Sequence, residues 1–293
     1  DKNIKFTEPF KNLFTQGMVC HETYKDSKGN WLYPDEIKKD SSKKTIKKSD
    51  NTEVIVGPPE SMSKSKKNTI DPEKMIEHYG ADSVRWFILS DSPPDKDVQW
   101  SDIGVSSSSK FLQKIWNLNI SIIQRKDVKD DKKISEDFDN KIELFVYKID
   151  KAINSFQFNV AIAQFYEVYK YLGECVKLSI ENKKLSNNLI KIMKLMVPFT
   201  PHLASECLSR LNCKNINKLP DINEKVFSNL KINLVVQING KTRDVISVEQ
   251  GLNEKDAKNL ASVSPKTKKY LDGKKINKII YVQNKIINFI LNI

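Results

Sequence analysis

The sequence predicts a mixed architecture: the end of an α/β domain over residues 1–101, an all-α helix bundle over 102–215, and a small α+β domain over 230–293. Three observations carry this expectation. Up to residue 101, short apolar runs punctuated by glycine and proline lead into a lysine-rich loop and then into well-signalled helices. From Asp102 to about Leu211, apolar residues recur at the 3.6-residue period with few glycines or prolines, as the helices of a bundle require. Beyond that, Asn239-Gly240 joins two β-rich runs and is a strong hairpin signal.

The elements follow in order. Glu8-Pro9-Phe10-Lys11-Asn12-Leu13-Phe14 fits a short helix with Phe10, Leu13 and Phe14 on one face. Met18 to Tyr24 and Trp31 to Tyr33 read as a hairpin about the turn-forming Asp26-Ser27-Lys28-Gly29-Asn30. Residues 38–53 hold six lysines and little that is apolar, which predicts an exposed insertion. Val54-Ile55-Val56 is a short strand ending at Gly57-Pro58-Pro59 and leading into the lysine loop. Asp71 is the N-cap, Pro72 the first helical position and Gly80 the stop of a helix over 72–79. Asp82 is placed to cap a second helix, ended by Ser92-Pro93-Pro94, and Ser101 to cap the first bundle helix after the extended Val98-Gln99-Trp100.

In the bundle, Phe111, Ile115, Leu118 and Ile122 stripe the first helix, which ends near Arg125; Asp127 to Lys133 is a charged connector. Helices over 138–153, 159–180 and 189–195 follow, and Pro198 and Pro201 break the chain before a last helix to Leu211. Aromatic residues at this spacing are core, not a platform for bases. A polar linker over 212–230 leads to strands at 232–238 and 242–248, helices from Asn253 and from Ser264-Pro265, and a closing β pair at 276–282 and 285–291.

Length, charge and cysteine usage bound the function. The 293 residues suffice for about two domains with substantial cores. Lysine and arginine total 49 against 37 acids, a net charge of +12, which favours a polyanionic partner with nucleic acid first. Lysine enrichment from an AT-biased genome accounts for part of it. The four cysteines form no Cys-x-x-Cys pair and the three histidines are widely separated, so no metal ligands are assigned and His21 receives no role. No apolar run approaches the roughly 20 residues that cross a bilayer, and the N-terminus lacks a secretory apolar core. These features fit a reducing, cytoplasmic setting, and the opening at Asp1 suggests the C-terminal part of something longer.

Only one stretch reads as chemistry. Gly57-Pro58-Pro59-Glu60-Ser61-Met62-Ser63-Lys64-Ser65-Lys66-Lys67-Asn68 sets three lysines among small hydroxyl residues. Ammonium groups on a mobile loop act as movable point charges, able to close on phosphate oxygens and to stabilise charge that develops in phosphoryl or nucleotidyl transfer. Composition alone favours a solvated lysine-rich surface loop.

The order of residues adds a resemblance. Met62-Ser63-Lys64-Ser65, with Lys66-Lys67-Asn68 and Asp71-Pro72 behind it, resembles the Lys-Met-Ser-Lys-Ser loop of class I aminoacyl-tRNA synthetases, with Ser61 in place of the first lysine. Tyr79-Gly80-Ala81-Asp82-Ser83-Val84-Arg85 resembles the helix pair that follows this loop in the leucine, isoleucine, valine and methionine enzymes, and Val197-Pro198-Phe199-Thr200-Pro201-His202-Leu203 resembles a turn of their anticodon-binding bundle. Val235 to Arg243, Tyr270-Leu271-Asp272-Gly273 and Ile279-Ile280-Tyr281-Val282 are similar to the C-terminal domain of bacterial leucyl-tRNA synthetases.

The resemblance implies the end of a Rossmann-type catalytic domain with its signature loop at 61–65, an anticodon-binding bundle and a tRNA-binding C-terminal domain. It implies a leucine-tRNA ligase that uses ATP and Mg2+ to make leucyl-adenylate and transfers leucine to tRNA(Leu). Lys64 is then the catalytic cation, within an ATP-binding loop of Ser61, Met62, Ser63, Lys64, Ser65 and Lys66. Lys241 and Arg243 at the hairpin are the tRNA candidates, where arginine can grip phosphate bidentately. The family's other ATP motif and its editing domain are missing, so the chain alone is expected to be inactive and to need the N-terminal part as its partner. The alternative is a non-catalytic tRNA-binding module.

Overall fold

The computed structural model describes residues 8, 10, 12–222, 231–249 and 251–292, which fall into two compact units, Asp1–Pro220 and Asp221–Ile293. No helix among the described residues is long and apolar enough to cross a membrane.

In the first unit, β1 (Val19–Lys25) is the central strand. It pairs antiparallel with β2 (Trp31–Leu32), and the Asp26 carboxylate closes their turn by accepting the Lys28 and Asn30 amides at 2.9 and 2.8 Å. Positions 9 and 11 of the expected N-terminal helix lie outside the described residues, and 12–18 form no helix. The lysine-rich insertion is exposed but not featureless. Ile37–Lys39 (β3) and Thr45–Lys47 (β4) make a small antiparallel ribbon, closed by Asp40 accepting the Ser42 and Lys44 amides at 2.8 Å.

The strand before the loop is longer than the sequence suggested. β5 (Ile55–Ser61) runs through Gly57-Pro58-Pro59 to pair Ser61 with Cys20, so the loop begins at Met62. The prolines survive because β5 pairs with β1 alone among the named strands and the β1–β5 register shifts between His21 and Thr23, which sets Pro58 and Pro59 at a bulge where a missing N–H is tolerated. Gly57 is required by space: a Cβ there would sit 2.4 Å from Thr23 Oγ1. β6 (Val98–Gln99) adds the one parallel pairing, to Val19 and Cys20. The sheet is therefore mixed, and the loop leaves from β5, which is antiparallel to its neighbour β1.

Helix α1 (Pro72–Tyr79) starts as expected, with Asp71 accepting the Glu73 amide at 3.0 Å. In α2 (Ala81–Asp91) the expected cap fails: Gly80 is the N-cap and Asp82 turns elsewhere. The bundle consists of α3 (Asp102–Ile123), α4 (Lys132–Asn154), α5 (Phe158–Cys175), α6 (Asn182–Met196) and α7 (Pro201–Arg210). Ser101 caps α3 through the Gly104 amide. α4 begins earlier than its apolar stripe because Asp131 accepts the Lys133 and Ile134 amides. α5 stops at Cys175 rather than running to 180, and Arg125 is the reason. Its guanidinium donates to the carbonyls of Val176, Ile180 and Leu178 at 2.8, 2.7 and 2.5 Å and to Asn182 Oδ1 at 2.6 Å. Carbonyls that a longer helix would have bonded internally are held by one planar fork instead.

Trp86 of α2 is fully buried at the centre of this unit, its ring centroid 5.4–6.4 Å from those of Phe111, Phe165, Tyr166 and Phe199. Its indole N–H donates to the Tyr166 hydroxyl at 3.2 Å. The second helix after the lysine loop is thus built into the core of the bundle.

The second unit is a four-stranded sheet in the order β8-β7-β10-β9, formed by β7 (Lys231–Ile238), β8 (Lys241–Glu249), β9 (Ile276–Val282) and β10 (Ile286–Leu291). Asn239 and Gly240 take positive φ of 47° and 77°, the mirror-image turn that suits strand twist. α8 (Glu254–Val263), capped by Asn253, and α9 (Pro265–Leu271) complete the unit; α8 packs Ala257 and Ala261 into the core with Leu234, Val236, Ile287 and Phe289.

Two outcomes test this fold. Trp86→Ala should lower unfolding free energy by about 3–5 kcal/mol in a urea titration followed by circular dichroism, as large-to-small core changes do. Acid unfolding should depend on Asp130, whose carboxyl is pulled down to about 2 by the Ser135 hydroxyl, Lys184 and the Glu181 amide. Its contribution is complete above the ordinary carboxylate value and disappears as pH falls through about 2. Asp130→Asn should flatten the unfolding slope across that window.

Candidate nucleotide loop and basic hairpin

The lysine loop leaves the sheet at Ser61, and the Met62 amide still donates to the Val19 carbonyl at 3.1 Å. Asn68, fully buried, ties its two stalks together. The Asn68 amide nitrogen lies 3.2, 3.1 and 3.4 Å from the carbonyls of His21, Glu60 and Ser61, and its Oδ1 accepts the Ser63 amide at 2.8 Å. Lys64 to Lys67 form the exposed turn between these stalks, closed by the Lys67 amide on the Lys64 carbonyl at 3.3 Å. The Ser63 and Ser65 hydroxyls meet at 2.6 Å.

The three cations are not equivalent. Lys66 is ion-paired with Glu60 at the end of β5. Lys67 stands 5.1 Å from the centre of the Tyr33 ring. Lys64 is exposed and, among the described residues, has no carboxylate within 4 Å. It lines a cleft of about 620 Å³ with Tyr33, Asp35, Asp71, Lys74 and Asp102. A free ammonium on a clamped turn can move to an incoming anion without first breaking an ion pair. Ser61, where the resembling loops carry a lysine, is exposed at the strand end and supplies only its carbonyl to Asn68. Met62 is half-buried.

The sequence reading missed Asn68 and Glu60, although both lie in the stretch it quoted. The available signal was an asparagine closing a loop of small residues, since a primary amide can satisfy several backbone groups at once. No group of three His, Cys, Asp or Glu side chains among the described residues could hold a metal ion.

Behind the loop, Asp82 reaches from α2 to α7, accepting the amides of Leu203 at 2.7 Å and His202 at 3.4 Å; His202 Nδ1 lies 3.2 Å from its Oδ1. Arg85 donates to the carbonyls of Pro198 and Phe199 at 2.6 and 3.2 Å. Together they hold both sides of the Pro198–Pro201 break, the donors of the new helix and the acceptors left by the old one.

In the second unit Lys241 is exposed beside the hairpin turn. The β7–β8 register shifts between Val236 and Gln237, leaving Arg243 unmatched on β8. Such a bulge re-aims a side chain, and the Arg243 guanidinium stacks 4.5 Å from the centre of the Tyr270 ring. Lys269 stands 5.1 Å from the same ring, and Lys266 lies 4.0 Å from Asp244, whose carboxyl is held low first by the Ser264 hydroxyl. The run Pro265-Lys266-Thr267-Lys268-Lys269-Tyr270 therefore joins the hairpin cations, which the sequence reading treated separately.

Comparison with known proteins bears on both places. Residues 135–258 match the anticodon-binding domain of tRNA ligases, and residues 54–101 match the class I tRNA synthetases for isoleucine, leucine, methionine and valine. Leucine–tRNA ligase of Rickettsia bellii is 37% identical over 293 residues, 98% of this chain and 34% of the relative. The Zymomonas mobilis leucine–tRNA ligase is 35% identical over 290 residues, 98% of this chain and 33% of the relative. The chain thus spans about a third of the length of these relatives. A solved ternary complex of Agrobacterium radiobacter K84 agnB2 LeuRS with tRNA and LeuAMS shares the fold at a TM-score of 0.58 and 24% identity, covering 99% of this chain and 34% of that one.

Proposed function

We infer that this chain, whose homologues are leucine–tRNA ligases, is the C-terminal third of such an enzyme and supplies one half of its ATP site together with tRNA-binding parts. In the complete enzyme the leucine carboxylate attacks the α-phosphorus of ATP, the bond to the bridging oxygen breaks, and pyrophosphate leaves. A hydroxyl of the terminal ribose of tRNA(Leu) then attacks the leucyl carbonyl of the adenylate, losing its proton as the acyl–phosphate bond breaks and AMP leaves. The free Lys64 ammonium on a clamped turn is the observation that carries the reading. Charge grows on the departing pyrophosphate, and a preorganised cation there stabilises the transition state more than the bound substrate.

Within that scheme Ser63 and Ser65 shape the turn, and Lys66 is secondary because Glu60 already holds it. Ser61 and Met62 set the exit of the loop from β5. Magnesium would enter with the triphosphate, since the described residues offer it no ligand cluster. We assign residues 1–101 to the end of the catalytic domain, 102–215 to anticodon binding and 230–293 to tRNA binding. The N-terminal remainder of the ligase is its obligatory partner, and translation places the enzyme in the cytoplasm.

A second reading, a tRNA-binding module without catalysis of its own, is favoured by the stacked Arg243 and the lysines of α9. Both readings predict no leucine-dependent ATP–pyrophosphate exchange by this chain alone. They part when the N-terminal piece is added: restored exchange supports the ligase, and continued silence supports the module.

In the complete enzyme, Lys64→Ala should lower exchange about 100-fold, near 3 kcal/mol of transition-state stabilisation, as removal of one preorganised donor does. Near-normal exchange would refute the assignment. For tRNA binding by this chain, Lys241→Ala or Arg243→Ala should each reduce the slope of log affinity against log salt by about 1 if the residue neutralises one phosphate. An unchanged slope would remove that residue from the interface.

A further inference from the structure

We propose that Asn68 is a positioning residue for adenylate formation, fixing the base of the lysine loop so that Lys64 closes on the triphosphate from a rigid frame. The proposal rests on the ligase reading above and adds to it a residue that does not itself touch substrate.

The geometry is specific. Two hydrogens of one primary amide face three carbonyls, one on β1 (His21) and two at the end of β5 (Glu60 and Ser61). The oxygen of the same amide takes the second N–H inside the loop, that of Ser63. The incoming stalk, the outgoing stalk and the sheet are thereby referred to a single planar group that is wholly out of solvent. Four residues, Lys64 to Lys67, are left to turn between Ser63 and Asn68, with Lys67 at a φ of 55° to complete the reversal.

A turn of four residues on fixed ends has few ways to move, and its long lysine arm sweeps a defined arc. Without the frame the same ammonium still reaches solvent, but it must be ordered at the moment of reaction. That ordering belongs to the transition state, so its loss should fall on kcat for exchange rather than on leucine binding.

Transfer of leucine from a preformed adenylate to tRNA involves no triphosphate and should not need the frame. A residue that merely supports the fold would affect both steps alike. The test uses the complete ligase carrying Asn68→Ala, Asn68→Asp or Asn68→Ser, in the numbering of this chain. Aspartate keeps the shape but presents acceptors to three carbonyls, and serine keeps one donor in a smaller volume, providing a second soluble variant should alanine or aspartate fail to fold.

The expected result is an ATP–pyrophosphate exchange kcat lowered about 10–100-fold, leucine KM unchanged, and single-turnover transfer from preformed leucyl-adenylate within about twofold of the parent. The serine variant should be the mildest. Equal losses in both steps, or normal exchange by a folded Asn68→Ser or Asn68→Ala enzyme, would overturn the proposal. Lys64→Ala measured alongside separates the two levels: slow exchange by it with normal exchange by the Asn68 variants defeats only the positioning role, whereas normal exchange by Lys64→Ala defeats the ligase reading of the loop itself.

Discussion

A buried primary amide must find partners for its hydrogens and its oxygen, or each group left unmatched costs about 1–3 kcal/mol. Asn68 meets that requirement with the backbone that frames the lysine loop, and the rest of the site follows from it. β5 stays paired with β1 to its last residue across the register shift opposite Pro58 and Pro59, the turn from Lys64 to Lys67 is short, and the loop lysines are kept apart in role. Glu60 engages Lys66 and the Tyr33 ring faces Lys67, so Lys64, the cation that opens the turn, is the one without a carboxylate partner among the described residues.

The next link is α2. Trp86 is in the centre of the bundle core, and Asp82 and Arg85 on the same helix hold the break between α6 and α7. A displacement of that turn would therefore be felt by the helix pair that directly follows the loop. The link is one helix, α2, whose Asp82 and Arg85 hold that turn while its Trp86 is buried in the core. On the side of the bundle away from these contacts, Arg125 does similar work at the end of α5, where one guanidinium replaces the internal bonds of a further helical turn.

Much of this was legible because its causes are local. Asp71-Pro72, Ser101 and Asn253 announce helix starts through side-chain oxygens that accept amides two or three residues on, and Asn239-Gly240 announces its hairpin through backbone handedness. The errors have long-range causes. Asp82 looked like the cap of its own helix, yet its carboxylate serves a helix about 120 residues further along the chain. Pro58-Pro59 looked like the end of a strand, but a bulge on an edge strand accommodates both prolines. Asp131 was assigned to a connector although it caps α4, a local signal obscured by the surrounding charges. Asn68 stood in the quoted stretch, but its value depends on where His21 and Glu60 lie, which no spacing reveals.

If Asn68 acts through Lys64, a double-mutant cycle tests that link most directly. Leucine-dependent exchange is measured for the complete ligase with Lys64→Ala, Asn68→Ala and both. If the amide serves only to aim the ammonium, the double variant should be no slower than Lys64→Ala alone, giving a coupling energy close to the whole effect of Asn68→Ala. Fully additive losses would mean that the two residues act independently, and would contradict the account.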